Sequence, residues 1–151
     1  MLRAVKERFG DRVTFKVIGE AGYRNDELGV TGVPWSFSTE LDELNELDVG
    51  IMPLPDDDWA RGKCGLKGLQ YMALEIPTVM SPVGVNREIL GDDEYGLLAS
   101  TEDEWIEALS RLIESSELRT KLGRAGRERV ISAYSVDAWK ETYAREFDGL
   151  L

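Results

Sequence analysis

The run from Asp48 to Gly84, DVGIMPLPDDDWARGKCGLKGLQYMALEIPTVMSPVG, constrains this chain more than any other part of it. Its opening, DVGIMPL, is a short apolar segment of strand length, and IPTVMS is a second; both read as buried strands. Between them GLKGLQYMAL spaces Leu66, Leu69, Tyr71, Met72 and Ala73 as a helix does. Strand, loop, helix and strand in that order make a βαβ crossover, which requires a parallel sheet. The loop carrying Trp59, Arg61 and Lys63 falls at the carboxyl end of the first strand, where open parallel sheets bind ligands. The free amides at the start of the helix, with Lys63 and Lys67 beside them, suit an anion.

A chain of 151 residues is enough for one packed core, and a single domain is expected. With 42% hydrophobic and 31% charged residues, its composition is that of an ordinary globular protein. No apolar run approaches the ~20 residues that cross a bilayer, and MLRAVKERFG lacks the pattern of a signal peptide. Cys64, the one cysteine, cannot build a disulfide framework, so a cytoplasmic location is expected. With no His, a zinc site is not expected, and Asp56, Asp57 and Asp58 read as capping and solvating residues rather than metal ligands. No cofactor is expected either. The net charge of −11 argues against nucleic acid as a partner.

Taken in order, LRAVKERFG has helical spacing at Leu2, Val5 and Phe9 and a Gly stop. VTFKVIGE (Val13 to Glu20) reads as a strand, AGYRNDELG as a polar loop or helical turn, and VTGVPW (Val30 to Trp35) as a shorter strand ended or set at an edge by Pro34. Ser38 or Thr39 is expected to cap TELDELNEL, with Leu41, Leu44 and Leu47 on its apolar face. Beyond Gly84, VNREIL reads as a short helix and EYGLLAS as a last strand. Ser100 or Thr101 is expected to cap a helix with Trp105, Ala108, Leu109, Leu112 and Ile113 on one face. SELRTKLGRAGRERVISAY continues as helix with a possible break at Gly123 to Gly126, and VDAWKETYAREFDGLL as a final amphipathic helix. The alternation of strands and helices gives an α/β fold with a parallel sheet.

In this order DVGIMPL, LKGLQYMALEIPTVMSPVGVNREIL, YGLLAS, ELRTKLGRAGRERV and YS resemble the C-terminal half of group 1 glycosyltransferases, the retaining GT-B enzymes of the family 4 type. The resemblance runs from about Val13 to the C-terminus. It implies a Rossmann-like domain that binds a nucleotide-sugar donor, with a separate N-terminal domain holding the acceptor across a cleft. Gly65, Leu66 and Lys67 correspond to the loop whose amides face the donor phosphates, and Lys63 adjoins it. The family's two glutamates fall on Gly62 and Gln70, eight positions apart; the first would contact the donor sugar and the second the ribose. Gln70 keeps a hydrogen-bonding side chain without the charge and Gly62 keeps none, so the catalytic residues stay unassigned. Trp35 corresponds to a region bordering the nucleotide base.

The resemblance also implies a central first strand before the opening helix, which this sequence does not contain. Two outcomes avoid the cost of leaving its neighbours unpaired. VTFKVIG can pair directly with DVGIMPL in a five-stranded sheet, the favoured expectation, or a partner chain, including a homodimer mate, can fill the gap. Each site residue has a plainer reading as well. Lys63 and Lys67 also suit solvated surface charge, Gly65 a tight turn and Trp35 packing at a strand end. Cys64 reads as a small packed residue, Tyr71 and Met72 as core, and the arginines of GRAGRERV as a solvated face. Three functions follow: the donor half of a glycosyltransferase, which is favoured and expected to be inactive alone; a non-catalytic nucleotide-sugar or phosphate-binding module; or a GT-B-type sugar-nucleotide epimerase, which the absence of His disfavours.

Overall fold

A computed structural model of the chain describes residues 1–148. Helix α1 (Leu2–Phe9) buries Val5 and Phe9 and ends at Gly10, whose φ of +56° suits a residue without a Cβ. After a 3-10 turn (Gly10–Arg12), β1 (Val17–Ile18) precedes β2 (Arg24–Asn25) and β3 (Val30–Val33). β1 pairs parallel with β3, and β2 returns antiparallel on the other side of β3. β2 and the hairpin turn lie within the stretch expected to be a loop or helical turn, whereas β3 falls in the expected strand over Val30 to Trp35. It closes through Asn25 Oδ1, which accepts the Leu28 N–H at 3.1 Å, and through Gly29 at φ +65°. The strand expected over Val13 to Glu20 forms a ladder only at Val17 and Ile18. In α2 (Glu40–Asn45) Thr39 is the N-cap residue but its side chain makes no capping bond; Leu44 is buried, whereas Leu41 is exposed rather than part of an apolar face.

The central unit forms as β4 (Gly50–Met52), α3 (Asp58–Arg61), α4 (Leu66–Ala73) and β5 (Thr78–Met80), followed by α5 (Asn86–Leu90) and β6 (Leu97–Leu98). The three strands are parallel in the order β4-β5-β6. Central β5 is buried throughout, and its alternation divides the core. Val79 joins Val5, Phe9, Trp105, Leu109 and Leu112 on one face, while Met80 joins Met72, Ile89 and Leu90 on the other. α4 lies close on the sheet because Gly68 leaves room: a Cβ there would come 2.5 Å from the Met80 sulfur.

Helix α6 (Glu102–Glu114) starts with a complete capping box. Thr101 Oγ1 accepts the Glu104 N–H at 3.2 Å and Glu104 accepts the Thr101 N–H at 3.0 Å. α7 (Ser116–Ala133) is continuous, so the expected break at Gly123 to Gly126 is not there. These glycines serve packing: a Cβ on Gly123 would overlap the Glu75 carbonyl, and one on Gly126 would crowd Met72. The α7 arginines are also more than a solvated face. Arg127 donates to the Ala73 carbonyl at 2.7 Å, and Arg129 donates to the Glu88 carbonyl while lying over the rings of Tyr95 and Tyr134. The final helix α8 (Val136–Asp148) forms, but none of its residues is buried; Gly149 to Leu151 of that expected helix lie outside the described residues.

The favoured five-stranded sheet does not form. Among the described residues the strands make two separate sheets, β1-β3-β2 and β4-β5-β6, with no ladder from β1 to β4. A cavity of about 380 Å³ lies between them, lined by Val13, Phe15 and Val17 on one side and Val49 and Ile51 on the other. α1 is anchored in the α6 core by Val5 and Phe9, and its Leu2 and Val5 reach the cavity. Lys16 reinforces the arrangement by pairing with Glu43 and Glu46 around α2.

Candidate functional site

The loop after β4 is ordered by its own acidic residues. Asp57 caps α3, accepting the Ala60 N–H at 2.7 Å, and Asp56 accepts from Arg61 Nε at 2.8 Å. The Arg61 guanidinium holds the Asp56 carboxyl below its usual range. Buried Ala60 pins this short helix to the body. The chain then passes Gly62, Lys63 and Cys64 to reach Gly65, which takes up φ +71° as the N-cap residue of α4. A side chain is doubly excluded at Gly65: the left-handed backbone disfavours it, and a Cβ would overlap buried Ile89. Glycine here sets both the turn and the close approach of α4 to α5.

The first intrahelical bond of α4 runs from the Leu69 N–H to the Gly65 carbonyl at 3.1 Å. The N–H groups of Leu66, Lys67 and Gly68 precede it and have no acceptor within the helix, giving a partial positive charge at the carboxyl end of β4. Leu66 is 55% exposed at this junction. Across from it the Ser81–Val85 loop follows β5. Gly84, at φ +57°, is so close that a Cβ would come 2.7 Å from the Arg61 carbonyl. Ser81 Oγ accepts the Leu54 N–H at 2.9 Å and the Ser81 carbonyl accepts from Asn86 Nδ2 at 2.9 Å, which ties the two loops together. Asn86 is 1% exposed, and its Oδ1 has no hydrogen-bond partner.

Three of the residues singled out in the sequence converge on one that was not. Glu40, at the start of α2, accepts from Lys67 Nζ at 3.2 Å and from Gln70 Nε2 at 3.3 Å, with the Trp35 indole beside it. The Trp35 indole N–H and then the Lys67 ammonium hold the Glu40 carboxyl below its usual range, with desolvation opposing them. Gln70 Oε1 is buried and without a partner. Sequence reasoning missed Glu40 because its partners lie 27 and 30 positions away; only its position in the first turn of a helix that follows an aromatic loop hinted at it.

The remaining residues are placed more simply. Lys63 stands with its ammonium 5.9 Å from the centre of the Trp59 ring, and Trp59 is 81% exposed. Gly62, at φ −78°, has space beside it: the nearest atom to an added Cβ is the Trp59 carbonyl oxygen at 3.5 Å. Cys64 is exposed, not packed as expected. Met72 is core, and burial pushes the Tyr71 phenol up. Trp35 is 53% exposed, so packing accounts for only part of its surface. Phe37, Trp59, Leu66 and Val85, in the segments that follow β3, β4 and β5, are also exposed apolar residues. Among the described residues no group of acidic, His or Cys side chains could hold a metal ion.

Comparison with known proteins gives this arrangement a lineage. No curated protein sequence matches the chain. Solved structures share its fold, three of them as follows. The C-terminal domain of the group 1 family glycosyl transferase LpcC from Francisella tularensis is 24% identical at a TM-score of 0.58, covering 72% of this chain and 55% of its own. Sucrose-phosphate synthase from Thermosynechococcus elongatus is 21% identical at 0.74, covering 99% of this chain and 41% of its own. TarM is 16% identical at 0.70, covering 95% and 30%. The chain thus spans from 30% to 55% of the length of these relatives. The family model for glycosyl transferases group 1 matches residues 1–115, most of the sequence, and the chain belongs to that family.

Proposed function

We propose that this chain binds the nucleotide-sugar donor of a retaining glycosyl transfer, with the acceptor held by a separate domain. The observation that carries the reading is the junction at Gly65, where a left-handed glycine with no room for a Cβ opens α4 at the carboxyl end of β4. An eight-residue helix begun this way presents backbone N–H groups and the positive end of its dipole to an anion. Leu66 and Lys67 would then face the donor diphosphate, with Lys63 at the rim. Trp35 is exposed enough to stack on a base, and Gln70 carries an amide suited to ribose hydroxyls. Stabilising charge on the departing diphosphate is the catalytic contribution such a half can make.

In this reading Glu40 stands in for the ligand, occupying the cations and amide donors that a diphosphate or ribose would otherwise take. Amide shifts on titration with UDP-, GDP- and ADP-sugars test the assignment. The expected result is movement of Gly65, Leu66 and Lys67 with one of the three; no movement anywhere in Pro53 to Gln70 with any of them rejects it. The purified chain is expected to transfer no sugar, because the acceptor side of the cleft is not in it, and turnover without another chain present would overturn that. The second reading, a binding module without catalysis located in the cytoplasm, is favoured by one observation: neither Gly62 nor Gln70 supplies a carboxylate.

A further inference from the structure

We propose that Glu40 is an internal competitor of the donor: its carboxylate holds the Lys67 ammonium and the Gln70 amide until an incoming diphosphate displaces it. This rests on the donor-site reading and adds to it a contact that must break before binding is complete. The observation is the convergence of three donors, from a loop and a helix, on one carboxylate. Glu40 accepts from Lys67 Nζ at 3.2 Å and from Gln70 Nε2 at 3.3 Å, both on α4, and the Trp35 indole N–H from the loop after β3 completes the set. The Glu40 side chain is 17% exposed, against 52% for Lys67. A carboxylate held this way is a fixed negative charge beside the cation rather than a mobile surface group.

Its partners are the side chains that an anion at the start of α4 would use. An ammonium already paired with a carboxylate attracts a second anion weakly, and a diphosphate brought alongside meets the Glu40 charge as repulsion. Gln70 is committed in the same way. Its Oε1 is buried without a partner and its Nε2 points to Glu40, so the carboxylate takes the donor side of the amide.

The tie can break with the fold intact. α2 is anchored independently, by buried Leu44 and by Lys16, which pairs with Glu43 and Glu46. Glu40 lies at the other end of that helix, with Phe37 before it and Leu41 after it both exposed. A change of side-chain rotamer at Glu40 therefore frees Lys67 and Gln70 while α2 stays in place. Affinity for the ligand is lowered in proportion to the fraction of molecules in which the tie is closed.

The test titrates inorganic pyrophosphate, UDP, GDP and ADP into the full chain and into Glu40→Gln, which keeps the shape of the side chain and removes its charge. The variant is expected to bind pyrophosphate roughly three- to tenfold more tightly, the range that release of one partly exposed ion pair allows. Adding Lys67→Ala is expected to erase that gain, because the cation to be released is gone. Asp42→Asn, an equal change of charge on an exposed residue of α2, is expected to give none. In the wild-type chain, saturating pyrophosphate is expected to move the Trp35 indole N–H and Gln70 side-chain amide resonances, whatever the variants do. Equal pyrophosphate affinity in wild type and Glu40→Gln, an equal gain from Asp42→Asn, a gain that survives Lys67→Ala, or resonances that stay in place on binding would overturn the competitor and leave the donor site standing. Weaker nucleoside diphosphate binding by Glu40→Gln would overturn it too, making Glu40 a contact of the ligand. Failure of every probe to bind either protein would reject the donor-site reading and the competitor together.

Discussion

β5 and β1 are both short apolar segments in parallel ladders, yet all three residues of β5 are fully buried while neither residue of β1 is. β5 has β4 and β6 on its edges, with α1 and α6 against one face and α4 and α7 against the other. β1 has a single strand neighbour and faces an open cavity on its other side. Burial of a strand therefore depends on occupied edges as much as on its own composition. The same difference explains length: a run that reads as seven residues of strand, Val13 to Gly19, keeps its ladder only where β3 lies alongside.

The largest test of this comparison sets matched truncations against each other. Val79→Ala empties a site that is 0% exposed and is expected to cost about 2–3 kcal/mol in denaturant unfolding. Val17→Ala, on the half-buried strand, is expected to cost under about 1.5 kcal/mol. Amides of β5 should exchange only through global unfolding, and those of β1 through local opening. Equal losses, or equal protection, would dissolve the distinction between the two sheets.

Gly65→Ala probes the tight half at the start of α4. The left-handed backbone and the overlap with buried Ile89 together are expected to cost about 1–3 kcal/mol and to loosen the start of α4. A wild-type melting temperature for this variant would mean that the junction relaxes freely. Thr101→Ala removes half of the α6 capping box and should cost about 1 kcal/mol; since α6 packs on α1, whose Leu2 and Val5 line the cavity beside β1, exchange at β1 is expected to quicken along with it.

The smallest effect concerns the tie between the halves. Glu40 on α2 joins Lys67 and Gln70 on α4, and its carboxyl is held below the ordinary range by Trp35 and Lys67. A depressed carboxyl contributes fully above its unfolded value and loses that contribution as pH falls through its lower folded value. Trp35 fluorescence and the Gln70 side-chain amide shifts should therefore change only below the usual glutamate range of about 4.3. Glu40→Gln should flatten that transition; an unchanged one would place its origin elsewhere.

What the sequence determined by itself was local. The Thr101–Glu104 box, the end of α1 at Gly10 and the alternation that sends Val79 and Met80 to opposite faces all depend on residues within a few positions of one another. The order of apolar runs was enough for the α/β class, and the order of the motifs from DVGIMPL to YS carried the resemblance to its family. Tertiary structure decided the rest. Gly123 and Gly126 carry the helix-breaking signal, but in α7 they are the places where Glu75 and Met72 come too near for a side chain. Leu41 follows the helical period and is exposed because nothing packs over it. Lys67 and Gln70 were expected to face an anion and a ribose, while the carboxylate that engages them in the structure lies on a different helix and had only a faint local signal. The gap between β1 and β4 is the clearest case: hydrogen-bonding capacity belongs to every residue of both runs, but whether two edges come within ~4.8 Å is decided by how the two sheets are placed in the fold.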